Sequence, residues 1–197
     1  EGRYRYIKGI DTSSGEGRVG YFAGCMTSLT PAVQRSMERI FAAAGVDVWY
    51  ADREGGVCCG RPLMLSGETD AARKMVEYNR ALFRKHAIET LVTSCPICLK
   101  VFREEYNLEG IEVLHHTEYI ARLISAGDLA LASDDTLYTY HDPCELGRGC
   151  GIYDAPRVVI GAVGRLAEPV HNRRNALCCG GSLANTVIND GQQCRIA

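Results

Sequence analysis

The chain has 197 residues, a formal net charge of −2, 46% hydrophobic residues and 23% charged ones. That length allows one large domain or two small ones, and the composition is that of a globular protein whose core needs no disulfides. The near-neutral charge argues against nucleic acid or an anionic membrane as a partner. No apolar run approaches the roughly 20 residues that span a bilayer, and the N-terminal Glu1-Gly2-Arg3-Tyr4 has no signal-peptide pattern.

The outlier is the count of ten cysteines. In a chain without a secretion signal they point to a reducing, cytoplasmic setting and to metal or redox chemistry rather than to a disulfide framework.

Residues 1–17 are polar and end in Ser13-Ser14-Gly15-Glu16-Gly17, which reads as a lead-in; the first residue is not Met, as expected of a fragment or processed product. Arg18–Ala23 reads as a short buried strand ending at Gly24-Cys25. Residues 31–44 read as a helix with Pro31 in its first turn, Thr30 or Ser28 as cap and Gly45 as stop. Val46–Tyr50 is a second strand, followed by the glycine-rich Gly55-Gly56-Val57-Cys58-Cys59-Gly60. Residues 68–86 carry a helical pattern with Ala72, Met75, Val76, Leu82 and Phe83 on the apolar side. Thr90–Thr93 is a third strand leading into Ser94-Cys95-Pro96-Ile97-Cys98 and a helix to about Tyr106. Ile111–Leu114 is a fourth strand and 117–126 a helix. This alternation predicts an α/β fold with a parallel sheet covered by helices.

After a break at Asp134-Asp135 the pattern recurs. Leu137–Tyr140 is a strand running into His141-Asp142-Pro143-Cys144, a helix follows near 154–165, a short strand around 169–171, and then Leu177-Cys178-Cys179-Gly180-Gly181. Strand, Cys, helix, strand, Cys-Cys-Gly thus occurs twice, offset by about 120 residues, which is too long for a solenoid and suits a duplicated domain.

In the first copy 32 residues separate Cys25 from Cys58, Cys59 follows directly, and 35 residues lead on to Cys95, with Cys98 in a Cys-x-x-Cys. In the second, 33 residues separate Cys144 from Cys178, and Cys179-Gly180 follow. Loops beyond the carboxyl ends of parallel strands meet at one edge of the sheet, so the first five cysteines converge. Five thiolates exceed the four of a structural zinc site, and adjacent cysteines suit two irons of one cluster better than one tetrahedral ion, although zinc can still take four of the five.

This spacing resembles the cysteine-rich CCG domain of the heterodisulfide reductase catalytic subunit and of iron–sulfur subunits in glycolate, lactate and glycerol-3-phosphate oxidation. The surrounding words match as well: Tyr21-Phe22-Ala23-Gly24-Cys25, Val57-Cys58-Cys59-Gly60-Arg61-Pro62, Val92-Thr93-Ser94-Cys95-Pro96-Ile97-Cys98 and His141-Asp142-Pro143-Cys144-Glu145-Leu146-Gly147-Arg148. The resemblance implies two tandem Rossmann-like domains related by a pseudo-twofold, at 18–127 and 134–197, the second incomplete. It implies a noncubane [4Fe–4S] cluster on Cys25, Cys58, Cys59, Cys95 and Cys98. Cys144, Cys178 and Cys179 would be three of the five ligands of a second site, where zinc can occupy a half-site.

The implied role is the iron–sulfur subunit of a cytoplasmic oxidoreductase complex, compatible with peripheral membrane attachment. It would exchange electrons with a ferredoxin-type iron–sulfur subunit or a flavin subunit, and with a disulfide, quinone or similar acceptor. The alternatives are a zinc- or cluster-stabilised scaffold that docks redox partners and, more weakly, a thiol-redox protein without metal.

Other residues receive plainer readings. Cys150 and Cys194 fit neither motif; Cys194 reads as a core or surface residue, and a spare thiol at the Cys144 site is the minority reading for Cys150. His141 is expected to hydrogen-bond the Cys144 loop, and His115-His116 to be structural or solvated. Arg61 and Arg148 flank cluster cysteines and would either offset the negative charge of a cluster or lie on the surface.

Overall fold

A computed structural model describes residues 19–25, 27 and 30–180. The lead-in at 1–17, the proposed cap Ser28 and Cys194 lie outside the described residues. The chain divides into two compact units, Glu1–Ala130 and Leu131–Ala197.

The described part of the first unit is a parallel sheet with helical crossovers. Its strands are β1 (Val19–Phe22), β2 (Val48–Tyr50), β3 (Thr90–Thr93) and β4 (Glu112–His115), in the order β2-β1-β3-β4. Helices α1 (Pro31–Ala43), α2 (Arg61–Leu65), α3 (Thr69–Lys85), α4 (Pro96–Glu104) and α5 (His116–Ala126) connect and follow them. Apart from their first residues, Val19, Thr90 and the exposed Glu112, the strands are buried, as in parallel sheets covered by helices.

Tyr21, Phe41, Phe83, Phe102 and Tyr106 are each 0–1% exposed and form the centre of the core. Their rings meet mostly edge to face, for instance Phe102 on Tyr106 with centroids 4.7 Å apart. Proline opens α1 and α4, where its missing N–H costs no helical bond, and left-handed glycines follow α1 and α5 at Gly45 and Gly127. Thr30 is the cap position of α1, but its side chain does not cap.

The strand order reverses between β1 and β3. Phe22 pairs with Thr93, and Thr93 with His115, at the carboxyl edge. A crevice outside that edge is where open α/β sheets place their ligands.

In the second unit β5 (Leu137–Thr139) pairs in parallel with β6 (Arg165–Ala167). Helices α6 (Gly147–Cys150) and α7 (Asp154–Val163) lie between them in sequence, and a 3-10 turn spans Arg173–Asn175. The expected strand at 169–171 is thus found four residues earlier. Gly164 permits an immediate exit from α7: a Cβ there would lie 2.5 Å from the Tyr138 ring and 2.7 Å from the Thr136 carbonyl oxygen. Pro169, lacking an N–H, is a poor ladder residue. The short helices α2 and α6 were not expected from sequence.

Candidate metal centre

Each cysteine of the first motif stands where a strand of the first unit ends. Cys25 follows β1, Cys58 and Cys59 close the long turn after β2, and Cys95 with Cys98 opens α4 after β3. Cys95 is the N-cap residue of α4, and Cys98 lies within its first turn.

The loops are built to bring these thiols together. Gly24 has φ +88°, and a Cβ there would lie 3.1 Å from Cys95 Cβ and 3.4 Å from Cys98 Sγ, so only glycine fits between the two loops. The Cys58 and Cys59 thiols are hydrogen-bonded, Cys59 contacts Cys98 in the same way, and Cys98 contacts Cys95. Cys25 acts on Cys58 through space.

Protons are shared unequally along this chain of thiols. Hydrogen bonds from Cys58 and Cys98 hold Cys59 well below the usual thiol range, while the same contacts and burial push Cys58 and Cys98 up. Cys95 is lowered to about 7, first by Cys98 and against its burial, with the N–H groups of Cys98 and Ile97 adding to the effect. The nine described cysteines are all thiols. Among the described residues, no three Cys, His, Asp or Glu side chains surround a position for one metal ion. The gathering is a string of thiol pairs. Its donor chemistry, five thiols with neither carboxylate nor imidazole among them, suits iron–sulfur ligation.

Buried and half-buried polar side chains fix the three loops. Asp52 accepts the Ala23 N–H at 2.7 Å and also that of Gly24, tying down the approach to Cys25; burial, opposed by these bonds, raises its carboxyl. Asn79 and Tyr106 bind the backbone around Cys58 and Cys59. The Tyr21 hydroxyl meets Ser94 Oγ at 2.6 Å, next to Cys95, and Thr93 Oγ1 accepts the Cys95 N–H at 3.3 Å.

His115, 3% exposed, also hydrogen-bonds the Ser94 backbone, and its Nδ1 lies 2.8 Å from Thr117 Oγ1. It caps α5 in a reciprocal box in which Glu118 Oε2 accepts the His115 N–H at 2.8 Å. His115 is therefore structural, as expected. Asp52, Asn79, Tyr106 and Ser94 were not singled out from the sequence. The one available sign was an asparagine in the apolar stripe Ala72, Val76, Asn79, Phe83 of α3.

In the second unit the segments bearing Cys144 and Cys178-Cys179 are also joined. His141 Nε2 lies 2.9 Å from the Leu177 carbonyl oxygen, and Arg148 Nη1 donates to the Ala176 carbonyl at 2.7 Å. His141, expected to hydrogen-bond the Cys144 loop, bonds instead the segment that leads into Cys178, and Arg148 ties two cysteine-bearing segments together. At the first motif it is the backbone N–H of Arg61 that faces Cys59. Cys150 is half-buried in α6.

The two Cys-Cys-Gly words adopt the same local turn. Gly60 has φ +90° and turns its N–H to the Cys58 thiol; Gly180 has φ +69° and turns its N–H to Cys178 Sγ at 3.4 Å. Cys178 and Cys179 line a cavity of about 560 Å³ with His141 and His171.

Comparison with known proteins agrees with this duplication. The family model for the cysteine-rich domain CCG matches residues 19–103 and again 138–197. The chain is 32% identical over 178 residues to one subunit of the fumarate reductase (CoM/CoB) of Methanothermobacter marburgensis, covering 89% of this chain and 35% of that protein. It is 31% identical over 166 residues to the EtfAB:quinone oxidoreductase of Syntrophomonas wolfei, covering 81% of this chain and 23% of that protein. It is 28% identical over 181 residues to one subunit of the dihydromethanophenazine:CoB–CoM heterodisulfide reductase of Methanosarcina barkeri, covering 82% of this chain and 42% of that protein. The chain therefore spans between about a quarter and two fifths of the length of these relatives.

Proposed function

Because this chain belongs to the cysteine-rich CCG domain family, we propose that it is an iron–sulfur part of an oxidoreductase complex, with Cys25, Cys58, Cys59, Cys95 and Cys98 holding a noncubane [4Fe–4S] cluster. The observation that carries this reading is the string of thiol contacts Cys58–Cys59–Cys98–Cys95 at the carboxyl edge of the sheet, with Cys25 beside it. When bound, such a cluster stores single electrons and presents iron to a sulfur-containing or other acceptor.

The protein's own contribution is to pre-assemble the ligands. Gly24 lets the Cys25 and Cys95 loops approach, Asp52 and Ser94 hold those loops, and hydrogen bonds from Cys58 and Cys98 favour the thiolate form of Cys59. The relatives' names support a complex whose acceptor is a disulfide or a quinone. A ferredoxin-type or flavin subunit would be the electron partner, and a cytoplasmic complex, with or without peripheral membrane attachment, would be its setting. Among the described residues no helix is long and apolar enough to cross a membrane. Cys144, Cys178 and Cys179 form a second, partial set that would hold zinc or part of a further cluster.

Purification without oxygen, followed by iron and acid-labile sulfide analysis, tests the reading. About four irons with matching sulfide are expected for one [4Fe–4S] cluster. One zinc and no sulfide would instead make the domain a metal-stabilised scaffold for redox partners.

A further inference from the structure

Asn79 and Tyr106 are both 0% exposed. A buried amide among aromatic and aliphatic side chains is unfavourable unless each of its polar atoms is paired. Asn79 meets that demand almost wholly from one loop. Its Oδ1 accepts the Val57 N–H at 3.0 Å, and its Nδ2 donates to the Val57 carbonyl at 3.0 Å and reaches the Cys58 carbonyl at 3.3 Å. Nδ2 also donates to the Tyr106 hydroxyl at 3.0 Å, and that hydroxyl donates in turn to the Cys59 carbonyl at 3.2 Å.

Three successive carbonyls, Val57, Cys58 and Cys59, are thus reached by one buried pair drawn from two distant parts of the chain, with Val57 and Cys58 sharing the amide's donors. Nothing in the packing of α3 asks for an amide at position 79, where the stripe is otherwise Ala72, Val76 and Phe83. The peptide planes on either side of Cys58 and Cys59 decide where their Sγ atoms point. Neighbouring residues can ligate one cluster only if those planes are held so that both thiols turn the same way.

We propose that Asn79 and Tyr106 are positioning residues of the metal centre, fixing the backbone of Val57-Cys58-Cys59 so that both adjacent thiols serve one cluster. This rests on the iron–sulfur reading above. The pair acts through the backbone of the two cysteines.

Tyr106→Phe is the cleanest probe, because the ring keeps its contacts with Phe102 and Phe83 and only the hydroxyl is lost. Asn79→Leu removes every loop contact, and Tyr119→Phe, which deletes a hydroxyl on α5, serves as control. Each variant and the parent are purified without oxygen. Circular dichroism reports the fold, iron and sulfide content the loading, electron paramagnetic resonance the cluster's ligand geometry, and iron loss to a chelator its retention.

Tyr106→Phe is expected to keep the parent's circular dichroism while changing the resonance spectrum and losing iron to the chelator roughly 10-fold faster, the usual size of an outer-shell effect. Tyr119→Phe is expected to match the parent. If Asn79→Leu does not fold, Tyr106→Phe decides alone. A folded Tyr106→Phe with the parent's spectrum, iron content and chelator resistance would overturn the inference. A parent without iron or sulfide would instead overturn the reading on which it stands.

Discussion

His115 and His116 show how a side chain read as merely structural carries a measurable pH dependence. Burial, reinforced by the neighbouring His116 ring, lowers His115 to about 3, and burial lowers His116 to about 4. The rings sit 4.1 Å apart, and His116 Nδ1 is shielded from solvent without a hydrogen-bond partner. Both are neutral in the fold, whereas in the unfolded chain they take up protons below about 6.5. The unfolded state then binds more protons, so stability falls as pH drops from about 6.5 toward 4, by at most about 1.4 kcal/mol per pH unit for each histidine. Unfolding midpoints followed from pH 7 to 5 should fall in the parent and stay flatter in the double variant H115N/H116Q. Asparagine at 115 can still accept the cap bond of α5. Parallel curves for the two proteins would show that these histidines are not held neutral. At this scale the cysteines were legible because one residue type recurs at fixed spacing. Asn79, Tyr106 and Asp52 act through backbone groups of another loop, and that relation leaves no spacing to read.

The elements were legible where periodicity is strong and less so where tertiary contacts set the ends. α3 was expected over 68–86 and spans Thr69–Lys85; β3 was expected and found at Thr90–Thr93. β6 lies at Arg165–Ala167, earlier than expected, because its position is set by Gly164 packed on Tyr138 and by the chain's next task, the ion pairs of α7. Arg157 of α7 makes a two-armed bond to Asp142 at 2.7 and 2.8 Å and a second to Glu168 just beyond β6. Asp142 also accepts the Arg173 N–H at 2.6 Å. Asp142 lies two residues before Cys144, so this pair joins the cysteine loop, α7 and the segment leading to Cys178. With Asp142 1% exposed, removing the guanidinium leaves a buried carboxylate short of partners, a change that costs about 3–5 kcal/mol. Arg157→Leu should therefore lower the denaturant midpoint of the second unit and speed amide exchange in α7, while exchange in α3 stays at the parent rate. Equal protection in α7 would mean that the ion pair contributes nothing net.

Across the whole molecule, the repeated word in the sequence became a repeated turn: Gly60 and Gly180 take the left-handed conformation and aim an N–H at the first cysteine of their pair. The two copies nevertheless differ in what surrounds them. The first has a four-stranded sheet whose order reverses between β1 and β3, with four cysteines on the loops after its strands and Cys98 in the first turn of α4. The described second unit has two paired strands and three motif cysteines, without a counterpart of Cys95-x-x-Cys98 among the described residues. Metal affinity depends steeply on ligand number, because each thiolate both supplies a bond and closes the site against solvent. The asymmetry makes a prediction about where iron resides. Replacing Cys58 and Cys95 together by serine should remove nearly all iron and sulfide from the purified chain. Replacing Cys144, Cys178 and Cys179 together by serine should leave about the four irons of one [4Fe–4S] cluster, with an unchanged resonance spectrum. If the triple variant loses the iron and the double variant keeps it, the cluster belongs to the second unit. If each set of replacements removes half, both units carry iron, and the three cysteines of the second recruit ligands from elsewhere.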